Sequence, residues 1–298
     1  MAPCRIIVAR HATRRDSEDL AWSESSPTPY DPPISSKGKL EAGALGLAVL
    51  SEVRAVLDSA HSPCLFRADS FSDSCTILSS SPSFTAASSS STCSTLSPHL
   101  PPLPSRPLNV YIHTSPFLRC AMTASHVAEQ LAASSSSSIS IRIRMDSFLG
   151  EWLTPDYFAN SCPPPDDGHA SLAASSMSWL LSHGARPHLD LAWPLNAFGH
   201  SGEYGERWRT MYSRFSEGLS NMIASYSGPA TGDSVIVIVT HGAGSNALVG
   251  AISGKPMLAD FGLASLSVAV PRKHDVEVDY SSAMDMVGRS ATVLDTGC

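Results

Sequence analysis

Six residues spread over most of the chain have the types that phosphoryl transfer needs: the histidines His11 and His241, the arginines Arg10, Arg14 and Arg119, and the carboxylate Glu151. A phosphoryl group carries charge on three peripheral oxygens, and planar guanidinium groups bind pairs of those oxygens bidentately, before and during transfer. Arg10, Arg14 and Arg119 can supply that clamp. Covalent transfer needs a nucleophile that is uncharged yet lies in a cationic pocket, and a neutral imidazole held in one tautomer meets that need. His11 is placed for it. His241 would donate a hydrogen bond to the transferring group, and Glu151 would protonate the leaving oxygen before water attacks. A raised carboxyl pKa would suit that acid. Asp16, Asp156 and Glu203 also stand near loops and could supply the proton, although Glu203 and Glu206 equally suit the first turn of a helix, where acids stabilise the dipole.

These residues can meet only if the elements between them return the chain to one edge. Each follows a strand candidate. Residues 5–9 are short, β-branched and nearly continuous in apolar character, as in a strand covered on both faces, and Arg10 and His11 follow them. Residues 108–112 precede His113-Thr114-Ser115-Pro116 and a helix over about 117–131, with Ser115 a natural N-cap and Pro116 a natural first helical residue. Residues 139–145 precede Glu151, and 234–240 precede His241 and a helix over about 243–252. Ser35 or Ser36 can cap a helix with apolar positions at Leu40, Ala44, Leu47 and Leu50, complete by about Leu57. Trp208, Met211, Phe215, Leu219 and Met222 mark one face of another. The stretch after Glu151, with Cys162-Pro163-Pro164-Pro165, reads as irregular, and 265–270 as a closing strand. Strands alternating with helices predict an α/β fold, a mostly parallel sheet with helices on both faces, whose ligand crevice lies at the carboxyl ends of the strands.

The 298 residues, 43% hydrophobic, suffice for one domain over 1–298, interrupted at 59–107 by a segment of serine, proline and threonine that cannot bury enough surface to order itself. The run of five serines from Ser134 to Ser138 reads as a linker. A formal net charge of −7 disfavours nucleic acid and anionic membranes as partners. No apolar run is long enough to span a bilayer, and seven scattered cysteines without a CxxC pair fit reduced thiols in the cytoplasm. The histidines at 169, 183, 188 and 200 lack metal-ligand spacing, so no metal and no other cofactor is expected. Apolar rim residues leave a homodimer open.

Four segments, Arg10-His11-Ala12, Thr114-Ser115-Pro116-Phe117-Leu118-Arg119, Leu149-Gly150-Glu151-Trp152 and Val239-Thr240-His241-Gly242, resemble in their order the signature of the histidine phosphatase superfamily, in its phosphoglycerate mutase-like branch. Within it, residues 10–16 are closer to the RHGERxD variety found in the phosphatase domain of the suppressor of T-cell receptor signalling proteins and related fungal or insect phosphatases. The resemblance implies a three-layer α/β/α sandwich. It also implies metal-independent hydrolysis of a phosphorylated small molecule or phosphoprotein through a phosphohistidine on His11, with Arg14 on the phosphate and Arg15 spare. A phosphoglycerate or phosphosugar mutase fits less well, because a serine or threonine and an asparagine are absent after His11. Ala12 stands where the family has glycine. If that position needs positive φ or close approach to phosphate, the chain would instead be a weak or inactive member serving as a phospholigand-binding or assembly module.

Overall fold

The computed structural model describes residues 3–61, 107–134, 139–158, 163, 168–227, 233–271 and 284–287. The strands are β1 (Arg5–Arg10), β2 (Leu108–Thr114), β3 (Ile139–Met145), β4 (Ser234–Thr240), β5 (Leu266–Pro271) and β6 (Met284–Val287). They form one sheet in the order β3-β2-β4-β1-β5-β6. The β3-β2, β2-β4 and β4-β1 pairs are parallel, and the last two strands join antiparallel. β4 lies at the centre, and all seven of its residues are buried. This is what a continuous Val-Ile run requires, since each large aliphatic side chain removed from water contributes about 1.5–3 kcal/mol.

The helices are α1 (Trp22–Ser25), α2 (Ser36–His61), α3 (Leu118–Ser134), α4 (Pro155–Phe158), α5 (Gly168–Ser182), α6 (Trp208–Tyr226) and α7 (Gly242–Ser253). Alternation along β1 and β4 divides them into two layers. Ile7, Ala9, Val235, Val237 and Val239 face a core shared with α2 and α3, whereas Ile6, Val8, Ile236 and Ile238 face α6 and α7. The result is the α/β/α sandwich expected from the alternation of elements.

Three expectations change. The α2 face that packs is Ala42, Leu45, Val49, Leu50 and Val53; of the expected positions Leu50 is thus buried, whereas Leu40 and Leu47 are exposed. The helix is set in that phase by its approach to α3 at Gly46, where a Cβ would come within 2.8 Å of the Gln130 side chain. It also runs to His61, so it enters the segment assigned from 59 as an insertion; residues 62–106 of that segment and Ser135 to Ser138 of the serine run lie outside the described residues. The stretch after Glu151 is not wholly irregular: α5 packs Leu172, Leu180 and Met177 inward. Its alanines and serines give no polar face to read. Finally, Glu203 and Glu206 precede α6 instead of opening it, and Glu206 binds Arg214, with Nη2–Oε2 at 2.7 Å and Nε–Oε1 at 2.9 Å.

Candidate active site

The carboxyl ends of β1, β2 and β4 converge on one crevice, where the sheet order reverses. His11 leaves β1 with its N–H bonded to Thr240 O at 2.9 Å and its carbonyl accepting from Ala264 N at 3.1 Å. The following loop is tied to α2: Thr13 N and Oγ1 both donate to Glu41 Oε2, at 2.9 and 2.7 Å. Gly38 is required there, because a Cβ would meet Thr13 O at 2.2 Å. The His11 ring is buried, and its Nδ1 lies 2.8 Å from the Ala12 carbonyl. A carbonyl can only accept, so Nδ1 carries the proton and Nε2 keeps its lone pair. Burial, then the charge of Arg119, holds the His11 pKa well below its ordinary value, so the imidazole is neutral.

Arg119 sits in the first turn of α3 with no exposure at all. Its Nη2 donates to Glu151 Oε2 at 3.2 Å, and Nη1 lies 3.7 Å from Asp31 Oδ1. Nε and Nη1 have no hydrogen-bond partner. A fully buried guanidinium with two unsatisfied positions is suited to an anion, since leaving such donors unpaired costs about 1–3 kcal/mol each. Arg10 adds a second guanidinium; its Nη1 donates to Phe261 O, its Nε is buried without a partner, and Gly242 allows it close passage.

His241 follows β4 and is fully buried, its ring centroid 5.4 Å from that of His11. Nδ1 is 3.1 Å from Glu151 Oε2, and Nε2 is 2.9 Å from Ser115 Oγ. Burial lowers its pKa to about 4 against the opposing pull of Glu151, so the ring is neutral, Nδ1–H donates to the carboxylate and Nε2 accepts from the serine. Glu151 is held in place by Trp152 N and by Arg214, whose Nη1 donates to the Phe148 and Gly150 carbonyls at 2.5 and 3.3 Å. Burial alone would raise the Glu151 pKa. His241 and Arg119 outweigh it, and the carboxyl lies below its usual range instead of above it.

All six sequence-derived residues are thus near one another, but not equivalently. His11, Arg10, Arg14 and Glu151 line a common cavity of about 370 Å³ with Trp152, Thr154 and Tyr157. The Arg14 guanidinium is turned to its rim: Nη2 pairs with Asp16 at 3.0 Å, and Nη1 donates to the Tyr157 hydroxyl. Ala12 does not occupy the cavity. Its methyl is buried in the core, its N–H donates to Thr123 Oγ1 at 3.2 Å, and among the described residues Ala264 alone combines a side chain with a left-handed φ. Of the other carboxylates weighed as proton donors, Asp16 is paired with Arg14, and neither Asp156 nor Glu203 lines the cavity.

Sequence reasoning missed Asp31 and Thr123. Asp31 accepts from Leu118 N at 2.8 Å and stands behind Arg119; burial raises its pKa to about 6. Pro32 and Pro33 follow it in the sequence and mark a turn, but nothing local shows that Asp31 is a buried carboxylate. His11, Glu151 and His241 also present ligand atoms within 4.8 Å of one another, the geometry that a cation would use. The adjoining Arg119 and Arg10 guanidiniums favour an anion over a second cation. Among the described residues no helix is long and apolar enough to cross a membrane.

The fold and the crevice together define a phosphoglycerate mutase-like α/β/α architecture. The chain has the histidine phosphatase fold. The ecdysone phosphate phosphatase of Bombyx mori in complex with tungstate is 12% identical, covering 92% of this chain and 96% of its own, with a TM-score of 0.53. A mycobacterial glucosyl-3-phosphoglycerate phosphatase complexed with VO3 is 18% identical over 97% of this chain and 99% of its own, with a TM-score of 0.46. A putative alpha-ribazole-5'-P phosphatase from Escherichia coli is 13% identical over 90% and 91%, with a TM-score of 0.40. No protein-family model and no curated protein matches the sequence.

Proposed function

We propose that this chain is a phosphomonoesterase that works through a phosphohistidine on His11. The observation that carries the reading is the pairing of a neutral, tautomer-fixed imidazole with a fully buried Arg119 whose Nε and Nη1 lack partners. The phosphoryl oxygens take those donors and Arg10. His11 Nε2 then forms a bond to phosphorus while the bond from phosphorus to the ester oxygen breaks.

Glu151 begins as a carboxylate, so its proton comes from the substrate. A phosphate monoester has its second pKa near about 6 and binds as the monoanion. As the guanidiniums take over its oxygens, its proton passes to Glu151, whose own counter-charge is now shared with the phosphoryl. Glu151 gives that proton to the leaving oxygen and then accepts one from the water that attacks phosphorus as the P–N bond breaks and neutral His11 is regenerated; it returns this proton to the product phosphate, which departs as the monoanion and leaves Glu151 a carboxylate. Once Glu151 is protonated, His241 Nδ1–H is released to bind the transferring group, while Ser115 holds its other nitrogen. The side chains supply nucleophile, acid and charge stabilisation without a metal.

Hydrolysis of an aryl phosphate in the presence of a chelator tests the reading. Turnover that survives the chelator and is lost in His11→Ala is expected. Turnover that disappears with chelation and returns with a divalent ion would refute metal independence, and the convergence of His11, Glu151 and His241 would then take on a different meaning.

A further inference from the structure

A second cavity, of about 400 Å³, adjoins the catalytic one across Arg14 and Tyr157, which line both. Its far wall is built by Tyr30, Pro32 and Phe158, with Asp16 and Glu24 completing the lining. The charge of this second chamber is opposite to that of the first. Arg14 is neutralised by Asp16 at 3.0 Å, and among the described residues no basic side chain pairs with Glu24. Asp16 Oδ1 is buried with no hydrogen-bond partner. An unsatisfied buried acceptor in an apolar, aromatic wall is a place for a donor.

We propose that this chamber receives the alcohol half of the substrate, and that the preferred substrates are monoesters of aromatic alcohols bearing an ammonium or similar hydrogen-bond donor at the far end. The inference rests on the phosphatase reading. A phosphoryl group placed beside His11 and Arg10 sends its ester oxygen into a cavity that Tyr157 and Arg14 share with the second chamber. A ring lying over the hydrogen-bonded Arg14–Tyr157 pair meets Tyr157 and Tyr30, and its donor is directed to Asp16 and Glu24. An alcohol half that carries a carboxylate or a second phosphate meets the same two acids and is repelled. Phosphorylated acids and bisphosphates are therefore poor substrates, which sets the chain apart from a mutase acting on phosphoglycerate.

Two probes with nearly the same leaving group separate the cases: the O-phosphate of tyramine, which ends in an ammonium, and the O-phosphate of 3-(4-hydroxyphenyl)propionate, which ends in a carboxylate. Attraction of one and repulsion of the other by partly exposed acids amounts to about tenfold in kcat/KM in favour of the amine, falling toward parity in Glu24→Gln. Calorimetric binding of both probes to His11→Ala is measured alongside. There the same preference appears in Kd without any turnover. Loss of turnover in the wild type with the binding preference intact would sink the phosphatase reading and leave this one standing. Equal binding of the two probes, preference for the carboxylate, or a preference that survives unchanged in Glu24→Gln would overturn the assignment of the chamber.

Discussion

Replacing His241 by glutamine removes a buried base whose titration the folded state suppresses. In the unfolded chain a histidine takes up its proton near pH 6.5, whereas burial holds His241 in the folded chain to about 4. For a base with a lowered folded pKa, the stabilising contribution is complete above the unfolded value and is lost as pH falls toward the folded one, because the unfolded chain alone gains a proton in that interval. Between pH 8 and pH 5 the loss works out at about 2 kcal/mol for this one group. His11 acts in the same direction, and Asp31, a carboxyl raised to about 6, acts in the opposite one. Both are present in wild type and variant, so the difference between the two proteins reports His241 and its coupling to His11 and Glu151. Stopping at pH 5 also stays above the ordinary carboxyl value of Glu151, 4.5. Urea unfolding at the two pH values gives the comparison directly. Wild type should lose about 2 kcal/mol more than His241→Gln on going to pH 5. Equal losses in the two proteins would refute the claim that His241 is buried and neutral.

Further perturbations separate the remaining parts. Arg119→Lys keeps a charge but loses the planar fork, and kcat/KM should fall about 100-fold or more, with folding preserved by circular dichroism. Ala12→Gly should leave kcat/KM within about twofold and cost about 1 kcal/mol in urea unfolding, because the methyl packs in the core and not against phosphate. A large gain in turnover would instead show that the methyl obstructs the site. Arg214→Met removes the anchor of the Phe148 and Gly150 carbonyls and strands the buried Glu206; a loss of about 3 kcal/mol in stability is expected, partly restored by adding Glu206→Gln. If Arg214 positions Glu151, the same variant lowers kcat more for esters with poor leaving groups than for an activated aryl ester. Because the ester monoanion brings the proton, kcat/KM should decline as pH rises through about 6; a rate that climbs across that range would exclude the monoanion as the reacting form.

The strands that place His11, Arg119, Glu151 and His241 were legible because parallel strands covered on both faces are continuous in apolar residues, as β1 and β4 are, and need no partner to be recognised. Helix phase was less so. Of the α2 residues 40, 44, 47 and 50 only Leu50 is buried in the core, because the close approach to α3 at Gly46 turns Leu45, Val49 and Val53 inward with it, and only that neighbouring helix determines the phase. α5 escaped notice because alanine and serine fit either a helix or a loop. In the site, residue types pointed to phosphate chemistry, yet the states of the groups depended on tertiary neighbours. A raised pKa would have suited Glu151 as the acid, which no sequence can show, and its pKa is lowered because His241 and Arg119 meet on its Oε2. Arg14 was expected on the phosphate; Asp16 and Tyr157, one near in sequence and one far, hold it at the rim. Asp31 and Arg214 act through residues remote in sequence, and no spacing reveals them.

The most direct test of the central claim is to trap the phosphoenzyme. Protein mixed with an activated aryl phosphate is quenched within milliseconds in alkali, digested, and mapped by mass spectrometry. The account predicts one phosphate on His11, lost on brief exposure to acid, formed in a burst equal to the enzyme present and missing in His11→Ala. A phosphate on any other residue, or turnover at full rate in His11→Ala, would contradict it.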